Sequence, residues 1–78
     1  MRIEDFIAKF AEQLEDIDID VDKLSASTIF RELNGWSSLI ALSVLAMIDE
    51  EYDVQLKGEE IKNAKTIQQL FDLVQSKL

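Results

Sequence analysis

The chain lacks cysteine, histidine and proline, and glycine occurs only at positions 35 and 58. Without cysteine there is no disulfide staple and no thiolate metal site, so the core must come from regular elements packing their apolar faces. Without histidine, the commonest general base and metal ligand is missing. Without proline and with so little glycine, nothing breaks the backbone often, and the abundant Leu, Ala, Glu, Lys and Gln favour helices joined by polar loops. Basic residues are scarce too: 8 against 16 acids, a net charge of −8. That balance argues against nucleic acid and anionic membrane surfaces as partners and favours basic ones. No apolar run approaches the roughly 18 residues of a membrane span. The expectation is a cytoplasmic monomer.

What remains is 78 residues, 47% of them hydrophobic. That is one small domain, 1–78, of a size that buries only about 60–65% of its unfolded surface. Ile3, Phe6, Ile7, Phe10 and Leu14 recur at helical spacing and predict a first helix over 2–15. Ile67, Leu70, Phe71, Val74 and Leu78 repeat that spacing, with Thr66 as the cap of a last helix. The run "SLIALSVLAMIDEEYD" predicts a helix over 38–53 that is apolar on more than one side. Stepping 100° per residue groups Ala41, Val44, Leu45, Ile48 and Tyr52 on one face and Leu39, Ile40, Ser43, Ala46, Met47 and Glu50 opposite. After Gly58, "EEIKN" offers Ile61 to the core in one or two turns of a third helix. The fold class is therefore all-α: a small four-helix bundle with a long first loop and a short third helix.

That loop, "EDIDIDVDKLSASTIFRELNGWS", is too polar and broken for one helix, yet Leu24, Ile29, Phe30 and Leu33 should dip into the core. Such a loop is unusual in a compact domain and is more often functional or a crossover than a disordered tether. Asp16, Asp18, Asp20 and Asp22 resemble the opening of a calcium-binding loop. The comparison fails at Val21, where a glycine must turn the chain, and at Ser27, where a bidentate glutamate is needed. A solvated acidic turn is the simpler reading, and no metal site is expected.

Two adjacent serines close the loop. Ser37 stands where an N-cap hydroxyl satisfies an orphan amide. Ser38 then occupies the first helical position, at the positive end of the helix dipole, where an attached phosphodiester would be stabilised by the field and by backbone N–H groups. A serine nucleophile needs an oriented base, and this chain has no histidine and only scattered Lys and Arg. Its acids lie in runs on solvent faces, which offers no paired carboxylates for acid–base work. The chain does not read as an enzyme; Ser38 is better suited to being modified than to modifying.

The order of these pieces resembles the acyl carrier protein family: "TIFRELNGWSSL", then "IDEEYDVQL", then "KTIQQLFDLV" at the start of the last helix. The family's usual Gly-Trp-Asp-Ser-Leu appears here as Gly35-Trp36-Ser37-Ser38-Leu39. The resemblance implies that Ser38 carries 4′-phosphopantetheine, installed by a phosphopantetheinyl transferase, and that the arm's thiol holds an acyl chain as a thioester for acyl-processing enzymes of fatty acid, polyketide or related biosynthesis. Ser37 replaces an aspartate that, in the family, helps the transferase position its target. The alternative is an unmodified helical adaptor of the same fold that binds a protein partner without a prosthetic group.

Carriers of the family present acids along helix two, whereas Ile40 and Ser43 stand at the positions just after the serine. The upper docking surface expected here is Leu39, Ile40, Ala46 and Met47, with Ser43 beside it and Glu50 among the acids lower down. In the other arrangement, the long loop covers Ile40 and Met47, with Trp36 folded over them. Phe30, Leu45, Ile61, Ala64 and Ile67 are candidates for a cargo pocket, each also explicable as ordinary core.

Overall fold

A computed structural model describes residues 2–15, 17 and 21–78. Asp16, Asp18 and Asp20, on which the calcium-loop comparison turns, lie outside the described residues. Among the described residues there are four α-helices: α1 (Ile3–Glu12), α2 (Ser38–Tyr52), α3 (Gly58–Asn63) and α4 (Ile67–Ser76). Two single 3₁₀ turns, Val21–Lys23 and Phe30–Glu32, punctuate the long loop between α1 and α2.

α1 and α4 form where the periodicity places them. Phe6, Phe10 and Leu14 are buried on one side, and Ile67, Leu70, Phe71 and Val74 on the other. α1 packs against both α2 and α4, while α2 also packs against α3. Phe6 ties the three long helices together, its ring 5.4 Å from Phe71 and 5.8 Å from Tyr52. α1 is shorter than the expected span because Gln13 and Leu14 donate to Phe10 and Ala11, three residues back, and tighten the last turn. Leu14 still reaches the core. Leu78 does not: it lies past the end of α4 and is exposed.

α2 departs from the expected division of its faces. Met47, grouped with the solvent side, is 5% exposed and sits in the core with Val44 and Ile48. Ile40 likewise packs inward and is half-buried. The solvent arc is Leu39, Leu42, Ala46, Asp49 and Glu50. A helix apolar nearly all round has no polar stripe to fix its rotation, so a small error in phase moves whole residues between faces.

The long loop is held by backbone. α4 begins with four amides that have no partner inside the helix. Thr66 satisfies one, its Oγ accepting from Gln69 N at 3.1 Å, while its carbonyl takes the helix's own first bond from Leu70 N at 3.1 Å. Loop carbonyls take two more: Thr28 O accepts from Ile67 N (3.1 Å) and Ala26 O from Gln68 N (2.9 Å). Ile29 pairs with Thr66 in an isolated bridge beside them. Phe30 is thereby pushed fully into the core, with Leu24 and Leu33 half-buried against it, whereas Ile29 is 42% exposed instead of dipping in.

At α3, Glu60 accepts from Lys57 N (3.0 Å) with one carboxylate oxygen and pairs with Lys77 Nζ (3.0 Å) through the other. These contacts cap the helix and tie it to the end of α4. The backbone hydrogen bond from Lys57, then the contact with Lys77, holds the Glu60 carboxyl below its ordinary value of 4.5. A depressed folded pKa means stability that is present above the unfolded value and lost as pH falls through the folded one. Denaturation followed from neutral pH down through the carboxylate range should therefore show a shallower acid-side loss in Glu60→Gln than in the parent.

Gly35 adopts φ +92°, and an added Cβ would meet Ile17 Cβ at 3.1 Å. Gly35→Ala should destabilise by about 1–3 kcal/mol in urea denaturation. Gly58→Ala, inside α3 with nothing within 4 Å, should instead be neutral or stabilising by up to about 1 kcal/mol.

Candidate functional site

The left-handed turn at Gly35 delivers Trp36 onto the core. Its indole lies nearly parallel to Phe10, 5° between planes and 6.0 Å between centroids, and 5.2 Å from Phe30. Trp36 thus folds over α1 and the loop's own Phe30. Beyond it the backbone is extended at Ser37 (φ −146°, ψ 170°), and its Oγ accepts from Ile40 N at 3.4 Å. The capping expectation holds geometrically, through a long bond.

Ser38 is the first residue of α2, and its side chain is exposed. Its hydroxyl has no hydrogen-bond partner among the described residues. It borders a cleft of about 370 Å³ between α2, α3 and the Phe30–Glu32 turn, whose walls are Phe30, Trp36, Ala41, Leu42, Leu45 and Ile61. Arg31, Gly58 and Lys62 complete the rim. Among the described residues, no carboxylate lines this cleft. A second cleft of similar volume lies between α1 and Tyr52 and is lined by Arg2, Asp5, Lys9 and Glu12, without Ser38.

Of the pocket candidates read from the sequence, Phe30, Leu45 and Ile61 line the cleft; Ala64 and Ile67 are core residues outside it. Trp36, Ala41, Leu42, Arg31 and Lys62 were not anticipated there. Helical spacing from Ser38 could have found Ala41, Leu42 and Leu45, at i+3, i+4 and i+7. No sequence signal marks Arg31 or Lys62. Of the expected docking residues, Leu39 (72% exposed), Ala46 and Glu50 face solvent. Ser43 is half-buried and donates back to Leu39 O (3.3 Å). Met47 cannot belong to such a surface, and Leu42, 61% exposed, occupies the place assigned to it.

A family profile described as the phosphopantetheine attachment site matches residues 4–74. The chain belongs to that family. Its cofactor is covalently attached 4′-phosphopantetheine. Acyl carrier proteins are among its relatives: that of Buchnera aphidicola subsp. Acyrthosiphon pisum (strain 5A) is 29% identical over 63 residues, covering 81% of this chain and 79% of the relative. That of Bdellovibrio bacteriovorus is 27% identical over 64 residues, covering 82% of each. No solved structure matches. Carrier proteins of this family are generally not catalysts. Among the described residues, no helix is long and apolar enough to cross a membrane.

The two serines separate by stability. Ser37→Ala should cost about 0.5–2 kcal/mol, the range for a lost N-cap. Ser38→Ala, which breaks no protein hydrogen bond, should leave the urea midpoint nearly unchanged.

Proposed function

We propose that this carrier domain holds acyl intermediates as thioesters on 4′-phosphopantetheine attached to Ser38, in fatty acid, polyketide or related biosynthesis. The observation that carries the reading is the exposed, unengaged Ser38 hydroxyl at the start of α2, on the rim of an apolar cleft. These residues fit the group: the hydroxyl is accessible to a transferase, and space lies beside it. Bound there, the arm supplies a thiol on a long flexible tether.

The chain's own residues do the rest. Ser37 occupies one amide at the helix start and leaves the positive end of α2 facing a phosphodiester on its neighbour. Phe30, Trp36, Leu45 and Ile61 offer an apolar bed, and each methylene buried there is worth roughly 0.8 kcal/mol. The docking surface for the transferase and acyl-processing enzymes is Leu39, Leu42 and Ala46 near Ser38, with Asp49 and Glu50 below. Covering an exposed leucine gains up to about 1.5–3 kcal/mol, so contact near the serine is apolar and the acids steer from a distance.

Intact mass after co-expression with a broad-specificity phosphopantetheinyl transferase tests the assignment. The parent should gain the mass of one phosphopantetheinyl group, and Ser38→Ala should gain nothing. A gain retained in Ser38→Ala moves the attachment to Ser37. No gain in the parent, under conditions that modify a control carrier, makes the chain an adaptor without a prosthetic group.

A further inference from the structure

The cleft beside Ser38 carries an unexpected charge. On a chain with twice as many acids as bases, a surface groove should on average be rimmed by acids. Here both ionisable lining residues are cations, Arg31 from the 3₁₀ turn and Lys62 from α3. Three of the six other cations are engaged: Arg2 with Glu4 (3.7 Å), Lys9 with Glu51 (3.5 Å) and Lys77 with Glu60 (3.0 Å). Among the described residues, neither Arg31 nor Lys62 has an ion pair. Glu60, on the same short helix as Lys62, is held by Lys57 N and Lys77.

We propose that the cleft is selective for acyl cargo ending in a carboxylate, with the apolar walls taking the methylene body and Arg31 and Lys62 the terminal anion. This rests on the carrier reading above. Long cationic side chains lay their stems along apolar surface and keep their heads in water. The groove is therefore hydrophobic along its walls and positive at its rim. A chain that follows those walls and ends in a carboxylate meets opposite charge where it emerges, whereas a plain hydrocarbon end meets two hydrated cations and gains nothing from them. The same cations counter, locally, the repulsion that a net −8 chain exerts on an anion.

The test loads the parent and the Arg31→Gln/Lys62→Gln variant from octanoyl-coenzyme A and octanedioyl-coenzyme A with the transferase, then follows thioester hydrolysis. The readout is the octanoyl rate divided by the octanedioyl rate, and intrinsic reactivity cancels between the two proteins. In the parent this ratio should exceed that of the variant by about 2- to 5-fold, the range for two exposed charge contacts. Added salt should collapse the parent's ratio toward the variant's, and this salt series decides the matter even where the variant folds poorly. A ratio unchanged by both substitution and salt overturns the selectivity while leaving the carrier intact. Failure of the parent to load from either donor overturns the carrier reading and the selectivity together.

Discussion

Everything at the serine end of the molecule depends on how the first turn of α4 is satisfied. Of its free amides, that of Gln69 is taken by Thr66 Oγ and those of Ile67 and Gln68 by the carbonyls of Thr28 and Ala26. Because an unmade hydrogen bond at a buried helix end costs more than a made one gains, the loop has little freedom to sit elsewhere. Strapping it there sends Phe30 into the core, and Phe30 with Phe10 forms the seat for Trp36. From Trp36 the chain reaches Ser37 and Ser38 in two residues. The attachment candidate is thus positioned by a helix at the far end of the sequence, through the backbone of the loop between α1 and α2.

This explains what could and could not be read from the residues alone. α1 and α4 each have one apolar stripe and one polar side, so spacing was enough to find them and to name Phe6, Phe10, Leu70 and Val74 as core. The serine pair was legible for a different reason: a capping hydroxyl before an apolar run is a local signal. α2 was found but misrotated, since Leu39, Leu42 and Met47 look alike to a periodicity argument and only packing distinguishes them. The loop strap was invisible because its donors and acceptors are backbone groups, which every residue has. The exposed Ile29 follows from that, as its main chain, not its side chain, makes the useful contact. The cationic rim was unreadable because Arg31, on the loop's 3₁₀ turn, and Lys62, on α3, come to one cleft only in the folded chain.

The bundle divides its mechanical roles unequally. α1, α2 and α4 share an aromatic centre at Phe6, whereas α3 is six residues long and is fastened mainly through Ile61 and the two contacts of Glu60. One wall of the cleft is built on α2 and the Trp36 stack, and the opposite wall on α3, which packs against α2.

The serine at position 37 completes this logic. An aspartate there would cap α2 as well or better, but its carboxylate would lie one residue from a phosphodiester on Ser38, and like charges so close cost energy that the exposed setting only partly screens. On the proposed attachment to Ser38, Ser37 caps without that cost and leaves the partial positive charge of the helix start for the phosphate. What is given up is a negative contact for an enzyme approaching this end. The same trade appears along α2, where Leu39, Leu42 and Ala46 occupy the solvent arc near the serine and acids begin only at Asp49. On the proposed docking surface, both features would shift recognition from charge toward shape at the serine, while the acids below would retain long-range attraction for a basic partner.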